Sequence, residues 1–150
     1  MQHPKLLERW FVFGHYIFEE STLPPYEREL VILRTAWLRQ SEYEWSHHVI
    51  NGKTAGLTET EIIRITEESR ASGWSTFAST LIQAVDQLCK DDFIGDEIWN
   101  ALMKQYSTEQ IMDLIFTVGQ YTLLSMALNS FGVELDENTP RFPKTKDRES

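Results

Sequence analysis

Apolar residues recur at helical spacing along most of this chain. Over residues 4–20 they fall three or four positions apart, which predicts a first amphipathic helix. Pro24 and Pro25 follow, and proline suits the first turn of a helix because that turn needs no amide proton from it. We therefore expect a second helix over residues 26–39, and the next stretch predicts a third over residues 41–56.

Four further helices are predicted along the rest of the chain. Two begin with a capping box, in which a hydroxyl side chain and a Glu or Gln three residues later each bind the other's backbone amide. The fifth helix, residues 77–88, has a single apolar stripe, and Asp96 is a favoured cap for the sixth. The capping boxes are Thr58 with Glu61, which opens a helix to about residue 70, and Ser107 with Gln110, which opens one to about residue 130.

This pattern of elements predicts the fold class. The chain lacks a glycine-rich phosphate loop and a stretch with strand alternation, so we expect an all-α fold, a single-domain bundle of about seven helices over residues 1–133. Residues 134–150 form a polar C-terminal tail with two prolines, which should lie on a neighbour or fray. Residues 31–38 and 111–131 are apolar nearly all round, and we expect packing between identical subunits to supply part of their cover.

Composition and charge narrow the function classes. The 150 residues carry a formal charge of -9, which argues against nucleic acid or an anionic membrane surface as the partner, since both attract clustered cations. The apolar stretch 111–131 is long enough to cross a membrane, but four polar residues interrupt it and favour a core helix. The first nine residues lack the apolar run of a secretory signal, and the single cysteine forms no internal disulfide, so we expect a cytoplasmic protein.

Glu29 is out of place on the second predicted helix. At about 100 degrees per residue it shares a direction with Ile32, Leu33 and Ala36, whereas Arg28 points elsewhere. One interpretation is a glutamate near a helix start that is favoured by the macrodipole and paired to an arginine. The other is a desolvated carboxyl suited to moving protons.

The third predicted helix carries a hydroxyl, a carboxyl and an imidazole on one side. Ser41, Glu44 and His48 are spaced i, i+3 and i+7, and Trp45 flanks them. An apolar wall with a few convergent polar groups is typical of a ligand pocket. A Glu44–His48 pair that only satisfies two buried groups explains the spacing equally well. His47 projects from the other side of the helix, toward a possible second subunit.

Metal and thiol chemistry have less support. The four histidines lack the spacing of zinc ligands, since His47 and His48 diverge on a helix, and we expect no metal and no organic cofactor. Cys89 lies near the end of a predicted helix rather than at a start, which is typical of a small, partly buried thiol.

Two parts of the sequence resemble a known family. The segments are LPPYERELVILR at residues 23–34, YEWSHH at 43–48 and AGLT at 55–58, with a later part running from FTVGQY at 116–121 to ALNSFGV at 127–133. Together they resemble the carboxymuconolactone decarboxylase family, which also contains the alkylhydroperoxidase D proteins. The resemblance implies an all-helical, alkylhydroperoxidase D-like fold whose two central helices hold the site, assembled as a homotrimer or homohexamer.

The resemblance also implies roles for individual residues. In the peroxidase branch of the family, a glutamate on one helix serves a CxxCxxxH motif on the next, and these match Glu29 and His48. The two cysteine positions hold Ser41 and Glu44, which form no disulfide, so the chain departs from the dithiol peroxidase pattern. The decarboxylase branch lacks the cysteine pair and fits better.

We therefore expect a carbon–carbon lyase of aromatic compound catabolism that needs no cofactor. Its reaction would be decarboxylation of, or proton transfer on, a small carboxylated lactone or ring compound, with Glu29, Glu44 and His48 as catalytic residues. The alternatives are an alkylhydroperoxidase-like protein whose dithiol activity is lost and a non-catalytic protein that binds a small molecule. The expected substrate-binding residues are Ser41, Tyr43, Trp45, Arg34 and Tyr121.

Overall fold

The computed structural model describes residues 3–144, and within them it contains helices and no strand, which confirms the all-α class. A π-helical segment, Tyr16–Glu20, continues the first helix. The α-helices are α1 (Pro4–His15), α2 (Pro25–Leu38), α3 (Glu42–Thr54), α4 (Glu59–Arg64), α5 (Thr76–Asp91), α6 (Asp96–Leu102) and α7 (Thr108–Phe131).

The helix boundaries agree with the sequence pattern except at two places. Helix α4 ends at Arg64 rather than near residue 70, because the carbonyls of Ile65 and Glu67 accept hydrogen bonds from the Arg34 guanidinium instead of continuing the helix. The cap of α6 is Gly95, and Asp96 is the first helical residue, where its carboxylate faces the positive end of the helix dipole.

Both predicted capping boxes are present. Thr58 accepts a hydrogen bond from the backbone of Glu61 and Ser107 from that of Gln110, and each partner's side chain returns a bond to the cap backbone. At the other end of α7, Gly132 has φ +62, a left-handed conformation that favours glycine and ends the helix.

Helix α2 forms the centre of the molecule. It packs against α3, α5 and α7, and every residue from Glu29 to Ala36 is buried within this one chain. Residues 31–36 therefore do not need the cover from other subunits that the sequence suggested for 31–38, and Leu38 is exposed. Gly52 allows α3 to lie close to α2, because a Cβ there would stand 2.9 Å from Leu57 Cδ1 and 3.2 Å from Leu33 Cδ1. This close approach brings one face of α3 against Glu29.

Helix α7 is long and apolar enough, by length and composition alone, to cross a membrane, and it is the one such helix in the described part of the chain. A core helix passes the same test, and α7 buries residues such as Ile111 and Leu114 against the rest of the bundle. Its other side is exposed, at Met112, Phe116, Leu123 and Met126. That identical subunits cover this side stays a prediction.

The first part of the predicted tail folds back on its own chain. The Phe142 ring lies 5.1 Å from that of Trp37 and 5.5 Å from that of Trp45. The backbone N–H of Phe142 also donates to Glu42 Oε1 at 3.0 Å. Phe142 therefore extends the packing of α2 and α3, while residues 145–150 of the tail lie outside the described residues.

Asp113 on α7 fastens the chain on both sides of the π-helical segment. Tyr16 Oη donates to Asp113 Oδ1 at 2.9 Å, and the backbone N–H and hydroxyl of Thr22 donate to Oδ2 at 2.7 Å each. Burial alone opposes ionisation of this carboxyl, but the hydrogen bonds outweigh it and lower the pKa of Asp113. The segment is thus held against α7 at its two ends.

Candidate functional site

The buried faces of α2 and α3 meet at an imidazole held between two carboxyl groups. His48 Nδ1 donates to Glu29 Oε2 at 2.6 Å, and Nε2 lies 3.5 Å from Glu44 Oε2. Glu29 is 1% exposed, His48 5% and Glu44 6%. The short Nδ1 contact is a strong, charge-assisted hydrogen bond that fixes the ring, whereas the longer Nε2 contact leaves that nitrogen free to engage a further group.

Two aromatic rings enclose the imidazole. Tyr121 on α7 meets it edge to face with centroids 4.9 Å apart, and Phe18 in the π-helical segment does so at 6.0 Å. Arg28 lies over the outer face of the Phe18 ring at 5.1 Å, and its Nε stands 3.7 Å from Glu29 Oε1. The interpretation that Arg28 points away from Glu29 is therefore wrong, because its long side chain folds back over the adjacent carboxylate.

The carboxylates control the charge of the imidazole. Burial is the largest single influence and favours the neutral ring, but the hydrogen bonds and charges of Glu29 and Glu44 together outweigh it and raise the pKa of His48. Burial, reinforced by the same two carboxylates, also raises the pKa of Tyr121, so its phenol keeps its proton. The site thus holds a readily charged imidazole beside a neutral hydroxyl.

The raised pKa of His48 makes stability depend on pH. Such a histidine stabilises the fold in full below its unfolded pKa, about 6.5, and this contribution is lost as the pH rises through the folded pKa. We expect the difference in Tm between wild type and His48→Gln to shrink as the pH is raised from about 6.5 into the alkaline range. Calorimetry across that range measures it, with His47→Gln as the reference for an imidazole removed from the other side of α3. A difference that does not change with pH would contradict the assignment.

The structure thus brings together four of the predicted site residues and places the others elsewhere. Trp45 packs against Trp37 with ring centroids 5.9 Å apart. The ring of Tyr43 lies 4.4 Å from that of His47, and Tyr43 lines a surface cavity of about 380 Å³ beside the C-terminal end of α7. The four that meet are Glu29, Glu44, His48 and Tyr121.

Arg34 and Ser41 also lie apart from the imidazole contacts. The Arg34 guanidinium binds both Asp86 carboxylate oxygens, at 2.7 and 3.0 Å, so it is used inside the fold and not at the cluster. Ser41 is fully buried at the start of α3, and its N–H donates to the carbonyl of Ala36 at 2.9 Å. Its hydroxyl has no hydrogen-bond partner among the described residues.

Sequence reasoning missed Phe18, and it allowed an arginine partner for Glu29 without identifying Arg28 as that partner. Phe18 carries only the signal of an apolar position on the first helix, and nothing in the helical spacing indicates that its ring reaches α3. Arg28 is the sequence neighbour of Glu29, and that adjacency is the one signal by which it could have been found.

Cys89 lies on α5, half-buried, in a different part of the molecule's surface. It lines a cavity of about 320 Å³ together with Arg39, Asp86 and Lys90. Burial raises the pKa of its thiol, which disfavours the thiolate. Among residues 3–144, no group of three or more His, Cys, Asp and Glu side chains is arranged to hold a metal ion.

Comparison with known proteins gives one family and several similar solved structures. A protein of unknown function from Agrobacterium tumefaciens, provisionally named an AhpD antioxidant defence protein, superposes with a TM-score of 0.78 at 16% identity, over 87% of this chain and 90% of that one. An uncharacterized peroxidase-related protein from Silicibacter sp. TM1040 superposes with the same TM-score, 0.78, at 11% identity, over 89% of this chain and 71% of that one. These similarities show the fold. A comparison with curated protein sequences gives no significant match.

The family match comes from the sequence profile of the carboxymuconolactone decarboxylase family, which matches residues 4–87. This range is more than half of the chain and includes the whole of α2 and α3, which supply Glu29, Glu44 and His48. The chain therefore belongs to the carboxymuconolactone decarboxylase family.

Proposed function

We propose that this protein is an enzyme that decarboxylates a small carboxylated lactone or ring compound, or transfers a proton on such a compound, without an organic cofactor. The observation that carries the proposal is the buried imidazole of His48 held between Glu29 and Glu44. Family membership supports it, and so does the raised pKa of His48, because it favours the imidazolium, which is the form that donates a proton.

In this reaction the carbon–carbon bond to the substrate carboxylate breaks and carbon dioxide leaves. The electron pair of that bond passes to the ring and forms an enolate at the conjugated carbonyl. The His48 imidazolium delivers its Nε2 proton to the carbon. Glu29 accepts the hydrogen bond from Nδ1–H throughout, and its negative charge stabilises the charged ring before the transfer. Glu44 then passes a proton from solvent back to Nε2, and the net change is uptake of one proton and release of carbon dioxide.

Tyr121 supplies a second group to this proposed reaction. Its phenol stays protonated because burial and the neighbouring carboxylates raise its pKa. A hydroxyl of this kind donates a hydrogen bond to the developing enolate oxygen without giving up its proton.

Carbon dioxide release from a panel of carboxylated lactones tests the function. We expect purified wild-type protein to turn over at least one member, and His47→Gln to do so equally well, because His47 faces Tyr43 and not the cluster. Absence of turnover across the panel would count against the proposal.

Peroxide reduction is the second candidate, favoured by the names of the two similar structures. Against it, Ser41 and Glu44 stand at the cysteine positions of the peroxidase branch, and the remaining thiol is disfavoured as a thiolate. Peroxide consumption by wild type and Cys89→Ser in the same preparations distinguishes the two functions. Thiol-dependent consumption that is lost in Cys89→Ser would establish the second candidate in place of the first.

A further inference from the structure

The candidate site has little contact with bulk water. Glu29 is 1% exposed, His48 5% and Glu44 6%, so the surface leaves no opening of substrate size at the imidazole. Four surface cavities of about 170 to 380 Å³ are lined by other described residues and do not reach the cluster. A part of the wall around His48 therefore has to move before anything can bind.

The walls of the site differ in how firmly they are held. Helices α2 and α3 are packed into the core, and Tyr121 belongs to the 24-residue helix α7. Phe18 lies instead in a five-residue π-helical segment whose neighbours Glu19 and Glu20 are exposed. π-Helical turns are energetically less favourable than α-helix and occur frequently at functional sites. Ile17 of this segment is buried, but the segment as a whole has less packing to lose on moving than α2, α3 or α7.

The anchors of the segment confine the motion. Asp113 holds Tyr16 on one side and Thr22 on the other, so the ends stay attached to α7 while the residues between them are free of that anchor. A local displacement of Phe18 is enough to uncover the side of the imidazole that its ring covers, with the two centroids 6.0 Å apart. The rest of the bundle need not unfold.

Arg28 stands where an anion entering past Phe18 would arrive. Its guanidinium lies on the Phe18 ring, and its buried Nε has no hydrogen-bond partner among the described residues. Glu29 Oε1, 3.7 Å from that Nε, also lacks a hydrogen bond. A guanidinium binds a carboxylate through two parallel hydrogen bonds, which is a stronger contact than the face of a phenyl ring. An anionic substrate can therefore replace Phe18 as the partner of Arg28.

We propose that Phe18 and Arg28 form the entrance to the His48 site, where Phe18 moves aside and Arg28 exchanges its ring for the carboxylate of the substrate. The substrate-binding part rests on the proposed function, whereas the entrance itself does not. Arg28 then binds the substrate, which is the role that the sequence predicted for Arg34.

Labelling of His48 with diethyl pyrocarbonate tests the entrance without any substrate. Each histidine is followed separately by mass spectrometry on folded protein at one fixed pH. We expect labelling of His48 to become several-fold faster in Phe18→Ala and slower in Phe18→Trp. Phe77→Ala is the matched control, because Phe77 is also half-buried and packs against Tyr106 and not against the π-helical segment or His48. An unchanged His48 rate in Phe18→Ala, or an equal rise at His47 on the same helix, would overturn the proposal.

Binding of a carboxylated lactone and of its methyl ester tests the role of Arg28. In Arg28→Gln we expect Kd for the carboxylate to rise several-fold and Kd for the ester to stay unchanged, whether or not the protein turns the compound over. Equal binding of the carboxylate by wild type and variant would exclude Arg28 as its partner. If the labelling results are as expected but no carbon dioxide is released, the entrance is supported and the proposed function is contradicted. The two proposals can therefore fail separately.

Discussion

Replacing Glu29 with glutamine should lower kcat roughly 10²- to 10⁴-fold, the range that a positioned proton-transfer group contributes. The amide has the size of the carboxyl group and its oxygen can still accept the Nδ1 hydrogen bond of His48. It lacks the negative charge that, together with Glu44, raises the pKa of the imidazole. The variant should therefore keep its fold and carry less imidazolium than wild type at the same pH.

The pH profile separates this role from a structural one. Because Glu29 helps to raise the pKa of His48, the alkaline limb of the kcat profile should move to lower pH in Glu29→Gln. His48→Gln should remove that limb altogether, and His47→Gln should leave the profile of wild type. A Glu29→Gln enzyme with unchanged kcat and an unmoved alkaline limb would contradict the mechanism. Turnover of the carboxylated lactone panel, followed by carbon dioxide release, provides the measurement.

The partnership of Glu29 and His48 could be predicted because it depends on local features. Helical spacing puts a carboxylate on the apolar side of α2 and an imidazole on one side of α3, and the family resemblance pairs the two. A short connection between consecutive helices then makes them neighbours, and Gly52 lets them approach closely. The helices, their caps and the central pair follow from contacts between residues that are near in the sequence.

Contacts between distant segments could not be predicted in the same way. Phe18 contacts His48 from a π-helical segment whose first residue, Tyr16, binds Asp113 on α7. Trp45 lines no pocket with His48 because Phe142, from the predicted tail, packs on its ring. These placements depend on the angles between helices and on contacts between side chains about 30 to 100 positions apart. Helical periodicity carries no information about either.

The contacts of Arg34 also could not be predicted from helical spacing, and its replacement should strongly reduce the stability of the fold. On the sequence it is a cation near a candidate site, so a role in binding an anionic substrate follows naturally. In the fold it is 5% exposed and binds Asp86 on α5 through two hydrogen bonds. Its Nη1 also donates to the carbonyls of Ile65 and Glu67, just beyond the end of α4. One guanidinium therefore connects α2, α5 and the segment after α4.

Replacing Arg34 with methionine should destabilise the protein by about 3 kcal/mol, near the lower end of the range for breaking a buried ion pair. The lower end applies because Asp86 is 27% exposed and keeps part of its hydration after the loss of its partner. The carbonyls of Ile65 and Glu67 lose their donor as well, and the buried one, that of Ile65, adds to the cost because it is left unpaired. Urea denaturation of wild type and variant, compared through their midpoints, measures the change in free energy of unfolding.

The double variant Arg34→Met with Asp86→Leu determines which contacts produce this loss. Replacing both members of a buried pair with apolar residues often restores stability, because no charge is left unpaired. Here the two backbone carbonyls stay without a donor, so the double variant should recover only part of the loss. Full recovery would mean that the carbonyl bonds contribute little, and a single-variant loss below about 1 kcal/mol would place the pair with exposed ion pairs.

Since the guanidinium is used inside the fold, the KM of folded Arg34→Met for a carboxylated lactone should equal that of wild type, whereas Arg28→Gln should raise it.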